Sequence, residues 1–254
     1  MARLTDRTAL VTGSSRGIGR AVALRLGEQG ALVAVHYTSN GDAAREVVGT
    51  IEKNGGQAFA VRAELGVPGD VDELFNGLEK GLLERTGGSR LDILVNNAAV
   101  KVAGPPEQAT GEDFDRLFAV NVKAPFFLVQ RALEHLPEGG RVINISSGLT
   151  RLGDPSSVTY AMTKGALEQL APHFSKLLGP RGITINTVLP GATRTSGPHW
   201  NDPAVVREIT EMSALKRIGE ADDVADVVAF LASDEARWIT GTSLDATGGA
   251  LLGA

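Results

Sequence analysis

The sequence predicts an α/β fold built on a doubly wound, seven-stranded parallel sheet with helices on both faces. Three observations lead there. Short apolar runs alternate along the chain with longer segments of helical periodicity. Most of those runs are unbroken rather than alternating apolar with polar, which is how strands buried on both faces read. Strand–helix–strand units also repeat throughout, and such units favour parallel pairing through right-handed crossovers. No linker, repeat or low-complexity segment interrupts the pattern, so 1–254 is expected to be a single domain.

The elements follow in order. Thr8–Val11 is the first expected strand, and a helix over Ile18–Gln29 ends at Gly30, a C-terminal cap. Ala31–His36 leads into a helix over Asp42–Lys53, stopped by Asn54-Gly55-Gly56. After the strand Gln57–Arg62, the helix Asp70–Arg85 carries Val71, Leu74, Phe75, Leu78 and Leu82 at helical spacing. Leu91–Val95 is the fourth strand, and a long helix is expected over Glu112–His135. Arg141–Ile145 precedes a helix over Ser157–Leu178, which Pro172 should bend. Ile183–Leu189, a helix over Ala221–Ala232 and Ser243–Ala246 complete the set. The stretch Ala192–Glu220 shows no strand character and is expected to be a substrate-side loop. Within it, Thr193–Met212 would form a mobile lid carrying Trp200.

Composition narrows the function. The net charge of −5 and the absence of any Lys/Arg cluster argue against a nucleic-acid partner. With no cysteine, disulfides, thiolate metal sites and cysteine nucleophiles are excluded together, and a reducing compartment fits. The segment Met1–Arg7 lacks the apolar core of a signal peptide, and no apolar run reaches membrane-spanning length. A soluble cytoplasmic protein without membrane contact is expected. His36, His135, His173 and His199 form no ligand pair with another His, Asp or Glu, so no metal is expected.

Two motifs carry chemistry. The first strand runs into Thr12-Gly13-Ser14-Ser15-Arg16-Gly17-Ile18-Gly19 and then a helix. In a Rossmann-type site such glycines permit the tight turn, let the backbone approach a pyrophosphate, and let the helix pack on the strand. The phosphates then meet free N–H groups at the helix N-terminus. Farther on, Tyr160 and Lys164 stand at i and i+4, on one helix face. A phenol has a pKa of about 10 and works near neutral pH only where its phenolate is stabilised, as an ammonium group beside it would do.

In combination the motifs resemble the short-chain dehydrogenase/reductase family, short-subunit branch, and within it the 3-oxoacyl-carrier-protein reductase-like ketoreductases. The resemblance spans essentially the whole chain. Thr12–Gly19 is similar to the family's TGxxxGxG turn, and Asn96-Asn97-Ala98-Ala99 to its NNAG. Asn121 matches the helix asparagine, and Asn144-Ile145-Ser146-Ser147 resembles the strand ending in the catalytic serine, thirteen positions before Tyr160. Pro190-Gly191 with Thr193 and Thr195 resembles the nicotinamide-side segment. Ile239-Thr240-Gly241 and Gly248-Gly249 resemble the C-terminal signature. The chain departs from the pattern at Ala99, where glycine is usual. It departs again at Glu64-Leu65, where an Asp and a small apolar residue often contact adenine, and at Ala246-Thr247.

The resemblance implies roles. Tyr160 would be the acid/base, Lys164 would tune it and bond the nicotinamide ribose, Ser147 would hold the carbonyl oxygen, and Asn121 would anchor a relay water. Gly13, Ser15, Arg16, Gly17, Ile18, Gly19, Glu64, Leu65, Asn97, Ala98, Ala99, Pro190, Gly191, Thr193 and Thr195 would hold the cofactor, together with Tyr160 and Lys164. The cofactor is expected to be NADP(H). Sites for NAD place an acid at the end of the second strand, whereas here that strand runs out through Tyr37-Thr38-Ser39-Asn40, with no acid until Asp42. Those side chains can donate to phosphate oxygens, and Arg16 would supply the positive charge.

The expected reaction is hydride transfer between nicotinamide and a carbonyl or secondary alcohol of a small molecule, in the direction of ketone reduction. An alcohol or sugar dehydrogenase and a non-enzymatic NADP sensor remain the alternatives. Arg181 is shared with reductases that act on carrier-bound acyl groups. The net charge and the turn Pro137-Glu138-Gly139-Gly140 disfavour docking of an acidic carrier. The apolar Glu112–His135 helix and the C-terminus 249–254, uncharged apart from its carboxylate, point to a homotetramer.

Overall fold

The computed structural model describes residues 3–195 and 202–252. In chain order its elements are β1 (Thr8–Val11), α1 (Gly17–Glu28), β2 (Leu32–Tyr37), α2 (Gly41–Lys53), β3 (Gln57–Arg62), α3 (Asp70–Thr86) and β4 (Ile93–Asn96). There follow α4 (Gly111–Phe118), α5 (Ala124–Ala132), β5 (Arg141–Ile145), α6 (Val158–Glu168), α7 (Leu170–Leu178) and β6 (Thr184–Pro190). The last are β7 (Thr193–Arg194), α8 (Pro203–Met212), β8 (Gly219–Glu220), α9 (Ala221–Ala232) and β9 (Ser243–Ala246).

Seven strands form one parallel sheet in the order β3-β2-β1-β4-β5-β6-β9, with β7 and β8 paired separately. The chain winds outward in one direction from β1 to β3 and in the other from β4 to β9. The switch point therefore falls between β1 and β4, where such sheets open a crevice at the carboxyl ends of their strands. The period-two alternation of strand side chains supplies both faces of the core. Ala9, Val11, Val33, Val35, Ile93, Val95, Ile143 and Ile145 pack under α1, α2 and α9. Leu10, Leu32, Ala34, Leu94, Val142 and Ile185 pack under α3, α5 and α7. The central strands β1, β4, β5 and β6 are buried along their whole length, while edge strands β3 and β9 expose alternate residues.

Three expectations change. The helix expected over Glu112–His135 is two helices joined by a π turn at Ala119–Lys123. Pro125 explains the widening: it has no N–H to return to the carbonyl of Asn121, four residues earlier. The helix expected over Ser157–Leu178 divides at Gln169, three residues before Pro172, whose ring crowds the preceding turn. The stretch Ala192–Glu220 is not all loop. It holds the β7–β8 bridge and α8, which Asp202 caps by accepting from Ala204 N, with Pro203 in the first turn. Trp200 and His199 lie outside the described residues. No helix among the described residues is long and apolar enough to cross a membrane.

Candidate active site

The glycine-rich turn leaves β1 beneath a cleft of about 920 Å³ at the switch point. Gly13 has φ +64°, and a Cβ there would come within 2.9 Å of the Ala98 backbone. A Cβ at Gly19 would overlap Gly13 O and Asn97 Nδ2. Only glycine lets the helix start this close to the strand. The loop after β4 is sewn onto the same turn. Thr12 Oγ1 accepts from the N–H groups of Asn97 (2.9 Å) and Ala98 (3.0 Å), and Asn97 Nδ2 donates to Thr12 O at 2.8 Å.

One residue of the turn's scaffold was not anticipated from sequence. His36, at the end of β2, is buried, and its Nδ1 accepts the Gly13 N–H at 2.9 Å while Nε2–H donates to Ala63 O at 3.1 Å. Burial brings its pKa down to about 4, against the opposing pull of the Ala63 carbonyl. The ring is thus neutral at physiological pH, with the proton on Nε2. The period-two strand pattern hid it as an ordinary strand-end residue.

The cleft brings together Gly13, Ser15–Gly19, Tyr37–Asn40, Glu64, Leu65, Asn97–Ala99 and Thr195. Ala99, the departure from glycine, is exposed in the cleft wall. Pro190 is buried at the end of β6. Gly191 and Thr193 line a separate hollow of about 140 Å³ against Gly219 and Thr247. The cleft's chemistry suits a phosphorylated dinucleotide. No side chain caps α1 and no acid stands in its first turn, in contrast to α2, which Asn40 caps. Among the described arginines, the side chains of Arg16, Arg116 and Arg207 have neither ion pair nor hydrogen bond, and the first two line the cleft. Arg116 carried no signal in the sequence, since its relevance depends on where α4 lies.

Tyr160 and Lys164 stand on α6, beside β5. Lys164 is fully enclosed and its Nζ donates to Ile145 O at 2.7 Å, which aims it along the end of β5. Burial brings its pKa down to about 8. Tyr160 is half-buried, and burial pushes its phenol up to about 12. Lys164 Nζ lies 5.6 Å from the Tyr160 ring centroid. Lys101, which follows the cleft-lining Val100, lies 5.5 Å from the same centroid. That contact sets the tyrosine beside the loop whose Asn97–Val100 segment lines the cleft.

Ser147 follows β5, partly exposed, and its Oγ accepts from Leu149 N at 3.2 Å. The serine before it donates to Glu168 Oε1 at 2.8 Å, and Arg151 reaches Glu168 Oε2 at 2.5 Å, tying the segment after Ser147 to α6. Asn121 is buried in the π turn. Its Nδ2 donates to Val100 O (2.9 Å) and Thr163 Oγ1 (3.0 Å), and its Oδ1 accepts from Val100 N at 2.9 Å. The amide therefore straps the loop after β4 to α6, next to Lys164.

The family model described as enoyl-(acyl carrier protein) reductase matches residues 13–250. The chain belongs to the short-chain dehydrogenase/reductase family. It is therefore an oxidoreductase by descent. Among solved structures it is similar to the angucycline C-6 ketoreductase LanV with bound NADP, at 60% identity and a TM-score of 0.97, covering 99% of this chain and 98% of that one. It is similar also to the promiscuous reductase LugOII, which catalyses keto-reduction at C1 during lugdunomycin biosynthesis, at 62% identity and a TM-score of 0.96, covering 98% and 99%. Versicolorin reductase of Emericella nidulans is 38% identical over 261 residues, which cover 98% of this chain and 97% of that protein.

Proposed function

We propose that the protein is an NADP-dependent ketoreductase that reduces a ketone on a fused-ring aromatic substrate. The observation that carries the reading is Tyr160, half-buried beside the loop that closes the cleft over the glycine-rich turn, with an ammonium group 5.6 Å from its ring. The named activities of LanV, LugOII and versicolorin reductase support the substrate class.

Arg16 with Tyr37–Asn40 would hold the 2′-phosphate, the α1 N-terminus the pyrophosphate, and Leu65 with Ala98 and Ala99 the adenosine side. When bound, NADPH supplies a hydride to the carbonyl carbon. Tyr160 Oη gives its proton to the carbonyl oxygen, so that ketone becomes secondary alcohol and the phenol becomes phenolate. Ser147 Oγ holds that oxygen as charge develops on it. Lys164, charged below its pKa of about 8, stabilises the phenolate until solvent returns the proton. Reduction should accordingly weaken as pH rises through about 8, when this ammonium is lost. Asn121 acts through position. With its amide engaged, its main-chain carbonyl, denied a donor by Pro125, is the group that would hold a relay water.

The protein is inferred to be cytoplasmic, in keeping with its cysteine-free composition, and to act as a homotetramer. Phe126, Phe127 and Leu177 leave apolar surface exposed on α5 and α7, and Trp238, between α9 and β9, is 97% exposed. The test of function is NADPH consumption with a panel holding a fused-ring aromatic ketone, a 3-oxoacyl thioester and simple sugars. Turnover of the aromatic ketone well above the others is expected, and turnover of the thioester alone would overturn the substrate class. Light scattering at micromolar concentration should give four times the mass of one 254-residue chain.

A further inference from the structure

Tyr160 has a cation on each of two elements. Lys164 belongs to its own helix and is held in place by Ile145 O. Lys101 comes from the loop after β4, is exposed, and has its Nζ 5.5 Å from the ring centroid. Among the described residues no carboxylate holds Lys101 within 4.0 Å, although its loop is fixed in place. Gly104 N donates to Ser156 O at 3.0 Å, which joins the loop after β4 to the turn before α6. In that turn Asp154 accepts from Ser156 N and Oγ, and its carboxyl is kept below the ordinary range by the neighbouring Ser157 and Ser156 hydroxyls and, more weakly, by Lys101. Arg151 and Glu168, the other charged groups nearby, are engaged with each other. Lys101 thus stands beside the tyrosine ring with no ion pair to a carboxylate among the described residues.

We infer that Lys101 is a positioning residue for the reaction: a second ammonium, carried by the loop after β4, that lowers the proton affinity of the Tyr160–Lys164 pair. The inference rests on the reading of Tyr160 as proton donor. A positive charge near the pair favours the phenolate and disfavours a second ammonium, so it lowers both proton affinities. At about 5.5 Å in a water-exposed setting its effect is about half to one pH unit. The sign is the same whichever member of the pair titrates first.

The experiment is the pH dependence of kcat and KM for NADPH-driven reduction of a bicyclic aromatic ketone. It compares the wild type with Lys101→Gln, Lys101→Arg and Tyr160→Phe. In Lys101→Gln the alkaline limb should move upward by about half to one pH unit, and Lys101→Arg should restore it. A several-fold rise in KM with an unmoved limb would make Lys101 a substrate contact and overturn the inference, as would no change in any parameter. A fully active Tyr160→Phe would instead remove the reading of the site on which it rests.

Discussion

The two ends of the central strands handle charge in opposite ways. At the amino end, Asp92 is wholly buried, and both of its oxygens are used. Oδ2 accepts from Thr8 N (3.0 Å) and Thr8 Oγ1 (3.1 Å), while Oδ1 meets Arg7 Nη1 (3.3 Å) and Arg90 Nε (2.9 Å). Arg141, at the start of β5, likewise reaches Asp234 and the carbonyls of Gly139 and Gly140. At the carboxyl end, Arg16 and Arg116 have no partner among the described residues. There His36, Tyr160 and Lys164 are all pushed toward their neutral forms by burial. One end is closed on itself and serves stability. The other is left electrostatically incomplete, as a site must be if a ligand is to complete it.

The comparison breaks most visibly at Tyr160. Tyr160→Phe should reduce kcat by about 10²–10⁴-fold, the range for losing a positioned proton donor, with unchanged thermal midpoint and with NADPH still bound. Steady-state kinetics and equilibrium binding together check this. Asp92→Ala should do the reverse. It leaves the buried N–H of Thr8 and the Arg90 guanidinium without their acceptor, at a cost of about 3 kcal/mol in urea unfolding, while kcat of the folded enzyme holds.

His36 gives a smaller effect with a defined sign. Its folded pKa, about 4, lies below the unfolded value of about 6.5. The stability it contributes is present in full above pH 6.5 and is lost as pH falls toward 4, by on the order of 3 kcal/mol. His36→Asn can still accept the Gly13 N–H but does not titrate. Between pH 6.5 and 4 its unfolding free energy should fall less steeply than that of the wild type. Parallel slopes would show that His36 does not set the acid limit.

Much of this was legible in the sequence, for identifiable reasons. Strands β1, β4, β5 and β6 are buried on both faces, so they read as unbroken apolar runs. The glycine turn and the Tyr160–Lys164 pair were legible because the chemistry fixes residue type and spacing within one local element. What escaped depends on contacts between elements. His36 matters because β2 ends beside Gly13, and Lys101 because its loop is pinned to Ser156. The helix α8 escaped because it buries no residue among those described, so its apolar positions answer to no core, although Asp202-Pro203 marked its start. The π turn escaped because the apolar pattern runs on through it, while its causes, Pro125 and the strap from Asn121, act on the backbone.

The most direct test of the incomplete carboxyl end is equilibrium binding of NADPH and NADH to the wild type and Arg16→Ala. Among the described residues the Arg16 side chain has no partner, so its removal should leave folding unchanged and act only on the ligand. Wild type should prefer NADPH by at least about ten-fold. Arg16→Ala should lose about ten-fold in NADPH affinity, a charge-assisted contact discounted for exposure, and bind NADH as before. Equal wild-type affinity for the two cofactors, or an NADPH affinity untouched by the substitution, would contradict the claim that this charge is held open for the 2′-phosphate.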